Sequence, residues 1–150
     1  LGFAIGGALG AAHGWRTATV SPAEGQLLAA ARSAVQVVDW RAQQGLAAHY
    51  DVDVGVTDAA AGLAETGSLV VRADAARSRG AFLVPPAHVC VLYASRIVAD
   101  LVDLWGEARG TWPSSLTIVS GPSKTADIEG ILITGVHGPR AVHVLLCEDA

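Results

Sequence analysis

Short runs of apolar and β-branched residues recur along the chain, and this recurrence constrains the fold more than any other feature. Between them lie Ala- and Leu-rich stretches that predict helices, one starting at Ser21–Glu24 and another running from Ser95 or Arg96 to about Ala108. Strands that alternate with helices predict a layered, Rossmann-like α/β domain with a mostly parallel sheet. The predicted strands are Trp15–Val20, Ala34–Val38, Asp51–Val56, Gly67–Val71, His88–Tyr93, Leu116–Val119 and Ala141–Leu146.

The composition suits a single domain over residues 1–150 with its own core. Hydrophobic residues make up 51% of the chain and charged residues 16%, which is the opposite of a disordered composition. The net charge is −4 and no basic stripe is present, so nucleic acid is not an expected partner. The sequence contains no Met, and we therefore expect the N-terminus to be truncated.

No membrane segment or metal site is predicted. No apolar run reaches the roughly 18 residues that span a bilayer, and the apolar segment Leu1–Ala12 lacks the basic start of a signal peptide, so we expect a cytoplasmic protein. Cys90 and Cys147 lie in apolar runs, which indicates buried thiols. Without a C-x-x-C spacing, the chain itself is expected to hold no iron–sulfur cluster or structural zinc.

The loop Ser120–Asp127 is the strongest local candidate for a binding site. It follows the predicted strand Leu116–Val119 and precedes a predicted helix, Asp127–Thr134, so a carboxylate or phosphate would meet the helix N-terminus. The alternative is an ordinary strand–helix turn in which Thr125 or Asp127 caps the helix. The loop offers hydroxyl groups, a flexible glycine and one ammonium group, from Ser120, Gly121, Ser123, Lys124 and Thr125.

Two further segments carry groups that suit catalysis. Glu65 stands beside a glycine turn in Glu65–Ser68 and could act as a general base or nucleophile, or equally be a surface residue. His137 lies between glycines in Gly135–Pro139, where it could meet a ligand or simply be solvated. His88 starts a buried strand and is predicted to be a hydrogen-bonded structural residue.

Four segments, taken in order, resemble the LutC/YkgG family. They are Val54–Val71 (VGVTDAAAGLAETGSLVV), Pro85–Val89 (PPAHV), Ser120–Glu129 (SGPSKTADIE) and Gly135–Pro139 (GVHGP). The matching stretch runs from about Asp53 to Leu146, and four motifs in the same order make the resemblance specific. Lys124 stands where arginine is usual, which keeps the charge but loses the bidentate fork.

The resemblance implies a fold, a process and a set of site residues. The fold is similar to that of the sugar-phosphate isomerase (NagB/RpiA) and CoA-transferase superfamily. The process is the oxidation of L-lactate to pyruvate, alongside two partner proteins that carry the iron–sulfur clusters. The implied catalytic residues are Glu65 and His137, and the implied ligand-binding residues are Thr66, Gly67, Ser120, Gly121, Ser123, Lys124, Thr125, Asp127 and Glu129.

Two alternatives to a lactate-oxidation subunit stay open at this point. One is a stand-alone isomerase or an acyl- or CoA-transferase-like enzyme that uses Glu65. The other is a non-catalytic module that binds a small carboxylate or phosphate. A fold alone does not choose among these three functions.

Overall fold

A computed structural model describes residues 13–22, 25–42, 47–107, 113–126 and 130–148. The strands are β1 (Thr17–Ser21), β2 (Gln36–Val38), β3 (Val54–Asp58), β4 (Ala61–Leu63), β5 (Ser68–Ala73), β6 (Ala87–Tyr93), β7 (Ile97–Val98), β8 (Ser115–Val119), β9 (Lys124–Ala126), β10 (Leu132–Thr134) and β11 (Ala141–Cys147). The α-helices are α1 (Gln26–Arg32), α2 (Ala47–Tyr50), α3 (Gly80–Leu83) and α4 (Leu101–Glu107), and a 3-10 turn spans Ala94–Arg96.

A five-stranded parallel sheet forms the centre of the domain. Its strand order is β11-β6-β3-β1-β2, and every neighbouring pair in it is parallel. Alternate side chains of a strand point to opposite faces, as β6 shows. Val89 and Val91 pack with Leu27 of α1 on one face, whereas Cys90 and Leu92 pack on the other. The predicted α/β architecture with a mostly parallel sheet is confirmed.

A second sheet covers the face of the parallel sheet opposite α1. Its order is β7-β4-β5-β8, with antiparallel pairs except between β4 and β7. Leu69 and Val71 of β5 pack with Phe82, Cys90 and Leu92 between the two sheets. Alternate residues of the second sheet pack outward towards Leu104 of α4. The strands β9 and β10 form a separate antiparallel hairpin.

Several predicted element boundaries are wrong for identifiable reasons. Ser21 is the last residue of β1 rather than an N-cap, and the helix begins five residues later at Gln26. The helix predicted from Ser95 or Arg96 begins at Leu101, because Asp100 Oδ1 accepts hydrogen bonds from the N–H groups of Val102 and Asp103. In the second case, strand pairing takes up Ile97 and Val98, which lie between the predicted and the observed start of the helix.

Candidate functional site

The loop after Val119 does not lead into a helix. Its strand, β8, belongs to the second sheet, and Lys124–Ala126 pairs with Leu132–Thr134 in the β9–β10 hairpin. The predicted helix Asp127–Thr134 is therefore wrong over its described part, and the argument from a helix N-terminus fails with it. Thr125 is a strand residue rather than a cap. The candidates Asp127 and Glu129 lie outside the described residues.

A chain of hydroxyl groups joins two of the predicted segments. The Oγ1 of Thr66 lies 2.7 Å from the Oγ of Ser68, which in turn lies 2.8 Å from the Oγ of Ser120. The strand register produces this contact, because Leu69 pairs with Val119 and the two serines are the next residues along. Gly67 permits the turn before β5 with a φ of 65°. The structure thus brings Thr66 and Ser120 to one buried serine.

Backbone hydrogen bonds join Ser123 to the Gly135–Pro139 segment. The Ser123 N–H donates to the Pro139 carbonyl at 2.8 Å, and the Gly135 N–H donates to the Ser123 carbonyl at 2.8 Å. The Arg140 N–H donates to the carbonyl of Pro86, the residue before β6, so this assembly lies at the amino-terminal edge of the parallel sheet. Lys124, His137 and Gly121 are exposed.

Glu65 lies within the turn formed by residues 64–67, between β4 and β5. Its backbone N–H donates to the Ala99 carbonyl at 3.0 Å, and its side chain is exposed. Among the described residues, its carboxylate has no hydrogen-bond or ion-pair partner. A catalytic role for Glu65 therefore stays a prediction, as do the roles of the other residues that the motifs suggested.

Glu65→Gln is expected to change the free energy of unfolding by less than about 0.5 kcal/mol, because it replaces an exposed carboxylate that has no partner among the described residues with an amide of the same shape. Denaturant unfolding of both proteins measures this difference. If the stable Glu65→Gln protein loses enzymatic turnover, Glu65 takes part in the chemistry. If it keeps turnover, Glu65 has no catalytic role. Ser68→Ala is the contrasting variant, since it breaks the buried hydroxyl chain and should cost about 1–2 kcal/mol.

A crevice lies at the opposite, carboxyl-terminal edge of the parallel sheet. In the sheet, β2 lies on one side of β1, whereas β3, β6 and β11 lie on the other side. In open α/β sheets, ligands bind outside the carboxyl ends of the strands where the strand order reverses in this way. At this switch point between β1 and β3, a cleft of about 240 Å³ is lined by Pro22, Gly25, Gln26, Leu27, Asp58, Val91, Tyr93 and Arg96.

Three arginines surround Asp58 beside this crevice. Asp58 is the last residue of β3. Its carboxylate lies 3.5 Å from the Nε of Arg77, 3.9 Å from a terminal nitrogen of Arg96 and 4.0 Å from a terminal nitrogen of Arg72. Arg77 also contacts Asp74 at 3.1 Å. These three arginines and two aspartates leave one positive charge in excess. The edge of the sheet where a ligand is expected therefore favours an anion.

Arg96 is the arginine that faces the crevice. One terminal nitrogen donates to the Ala59 carbonyl at 3.0 Å, and the guanidinium carbon lies 5.2 Å from the centre of the Tyr93 ring. These contacts fix the orientation of a side chain that is still 41% exposed. A guanidinium held in this way has N–H groups left for a carboxylate or phosphate oxygen.

The sequence reasoning missed this site because it ended the predicted strand at Val56 and gave Asp58 no role. The strand extends further, since Thr57 and Asp58 complete β3 and the next residues lead into β4. The available signal was an aspartate placed directly after an alternating apolar run. In a parallel sheet that position lies at the carboxyl edge, where functional side chains gather.

Two buried groups near the centre of the sheet have a structural role. His88 Nε2 and Thr57 Oγ1 are 2.9 Å apart, and the same hydroxyl lies 3.4 Å from the Sγ of Cys90. Burial lowers the pKa of His88 to about 4 and raises the pKa of the Cys90 thiol to about 12. His88 is thus neutral and hydrogen-bonded, which confirms its predicted structural role. Cys90 is buried as predicted, whereas Cys147 is only half-buried.

Comparison with known proteins shows the family. The family model described as the LUD domain matches residues 27–147. The chain belongs to the LUD-domain family. This LUD domain also resembles the crystal structure of a DUF162 family protein from Deinococcus radiodurans, with a TM-score of 0.67 and 24% identity, over 97% of this chain and 81% of that one. The latter likeness supports the fold.

Curated relatives agree with the resemblance to the LutC/YkgG family. The uncharacterized protein YkgG of Escherichia coli strain K12 is 39% identical over 102 residues, which cover 64% of this chain and 44% of YkgG. Lactate utilization protein C of an Exiguobacterium species is 36% identical over 104 residues, covering 65% of this chain and 45% of the relative. The chain thus spans slightly less than half the length of these relatives.

The described residues contain no group of three or more His, Cys, Asp or Glu side chains that would hold a metal ion. No helix in the same part of the chain has the length and apolar character needed to cross a membrane.

Proposed function

We propose that this LUD domain is the small-carboxylate-binding part of a lactate utilization protein. The observation that carries the proposal is the crevice at the switch point, where Arg96 presents a fixed and half-exposed guanidinium. The names of the relatives called lactate utilization protein C suggest the process. The guanidinium in the crevice suits it, because lactate is a carboxylate.

The size and lining of the crevice favour a compact metabolite. Its volume of about 240 Å³ is below the roughly 300–1,000 Å³ of pockets that hold drug-sized ligands. Leu27 and Val91 give it an apolar wall, while Arg96 offers charge-assisted hydrogen bonds. L-lactate and pyruvate match this pattern, since each combines one carboxylate with a methyl group.

The proposed reaction requires partners. Oxidation of L-lactate to pyruvate breaks the C–H and O–H bonds of the alcohol carbon and releases two electrons and two protons. We propose that the electrons pass to iron–sulfur clusters held by two partner proteins, as the resemblance to the LutC/YkgG family implies. Both cysteines of the described chain are free thiols. Free thiols suit the reducing cytoplasm, where we place the protein.

The direct test is a calorimetric titration of the chain with L-lactate and with pyruvate. Arg96→Ala is expected to weaken binding at least tenfold, because a charge-assisted hydrogen bond contributes about 1.5–3 kcal/mol. Arg96→Lys should give an intermediate loss of affinity, since lysine keeps the positive charge but lacks the planar guanidinium that lies over the Tyr93 ring.

Arg32→Ala is the charge-matched control, because Arg32 is exposed at the end of α1, outside the lining of the crevice. It should bind both ligands as the wild type does. Equal affinities for wild type and Arg96→Ala would reject the crevice as the carboxylate site. A parallel assay of L-lactate oxidation by the purified partner proteins, with and without this chain, tests the process itself.

A further inference from the structure

We infer that a second anion site, distinct from the crevice at Arg96, lies at the amino-terminal edge of the parallel sheet. It is a cleft of about 340 Å³ that takes a small organic phosphate or carboxylate with an apolar body. The lining residues that define it are Tyr50, Leu83, Gly135, Val136, His137 and Arg140.

Charge is the first argument for an anion. Arg140 and His137 both line the cleft, and no acidic side chain stands among its described lining residues. The guanidinium of Arg140 makes no ion pair or hydrogen bond with any described residue. This is unlike the carboxyl edge, where Asp58 already neutralises part of the arginine charge. The cleft therefore presents an arginine without a counter-charge from the described chain.

A fixed path for the Arg140 side chain is the second argument. Gly135 has a φ of 79°, and a Cβ atom built on it would overlap the Cγ of Arg140. The aliphatic stem of Arg140 thus lies directly over a residue without a side chain. The Arg140 N–H is anchored to the Pro86 carbonyl at 2.8 Å, so both the backbone and the stem of this arginine are positioned.

The loop that carries His137 is also held in place. Ser123 accepts a backbone hydrogen bond from Gly135 and donates one to the Pro139 carbonyl, each at 2.8 Å. A Cβ atom on Gly138 would lie 3.3 Å from the Cβ of Ser123, so the two segments pack closely. A preorganised loop loses little conformational freedom when a ligand binds, which favours affinity.

Apolar side chains around the cleft define the second half of the ligand. Tyr50 is 66% exposed, Val136 53% and Leu83 43%, and all three line the cleft. Covering such side chains removes apolar surface from water, which favours the bound state. A ligand with an anionic head and an apolar body therefore fits better than a bare inorganic ion.

The test is a titration with inorganic phosphate, phenyl phosphate and benzoate, in which binding is measured from the shifts of the amide NMR signals of Gly135 and Gly138. Phenyl phosphate is expected to bind at least fivefold more tightly than inorganic phosphate, because its ring covers Leu83 and Val136. Comparison of phenyl phosphate with benzoate decides whether phosphate or carboxylate is the preferred head group.

Arg140→Ala should weaken phenyl phosphate binding at least tenfold, and Leu83→Ser should remove most of its advantage over inorganic phosphate. Arg32→Ala and Arg96→Ala serve as controls and should leave these affinities unchanged, which separates this site from the proposed lactate site. Unchanged affinity in Arg140→Ala, or amide shifts confined to the crevice at Arg96, would overturn the inference.

Discussion

The Gly55→Ala variant is expected to lose about 3 kcal/mol or more of its free energy of unfolding, at the upper end of the cost of overpacking a core. Gly55 is the second residue of β3, where α3 packs against the sheet. A Cβ atom at this position would overlap the carbonyl oxygen of Ala81 and lie 2.8 Å from its carbonyl carbon and 3.2 Å from the Cγ of Pro85. Backbone atoms cannot rotate away as a side chain can.

Denaturant unfolding monitored by circular dichroism measures this effect, and Gly106→Ala is the matched control. Gly106 lies in α4, and a Cβ atom there would meet no atom within 4 Å. Alanine at a helical position is favoured over glycine by about 0.8–1 kcal/mol, so Gly106→Ala should be slightly more stable than the wild type. A Gly55→Ala protein as stable as Gly106→Ala would contradict the close approach of α3 to β3.

Acidification from pH 6.5 to pH 4 is expected to lower the free energy of unfolding by about 3 kcal/mol through His88 alone. Burial lowers the pKa of His88 from 6.5 to about 4 in the folded protein. Between these pH values His88 takes up a proton in the unfolded chain but stays neutral in the folded protein. The free energy of unfolding is therefore highest above pH 6.5 and decreases as the pH falls towards 4. Burial also lowers the pKa of His49, which acts in the same direction.

Unfolding midpoints measured at pH 7.5, 5.5 and 4.5 give this dependence, and His88→Gln isolates the contribution of one imidazole. We expect His88→Gln to be less stable than the wild type at pH 7.5, because the hydrogen bond to Thr57 is disturbed, but to show a shallower loss in acid. His137→Gln removes an exposed histidine and should retain the steep dependence, since His88 remains. Parallel curves for the wild type and His88→Gln would show that His88 is not the source.

The candidate residues illustrate the limits of motif reasoning. Three separate segments supplied the candidate residues, and the structure joins two of them to the third: Thr66 contacts Ser120 through Ser68, and Ser123 is hydrogen-bonded to the loop of His137. The pairing of Ser68 with Ser120 depends on the register between β5 and β8, which are far apart in sequence. No local pattern encodes such a register, because it is set by the packing of the second sheet against the first.

The sequence by itself determined the class of fold, the central strands and the family. The run of residues 89–92 in β6 is apolar at successive positions because both faces of this parallel strand are buried, and this signal is visible in the sequence alone. Only the tertiary structure decided that Asp58 ends a strand at the switch point, that Arg72, Arg77 and Arg96 meet there, and that Leu132–Thr134 is a strand. The physical reason is that these features depend on contacts between residues distant in sequence, whereas burial on both faces is recorded in each strand separately.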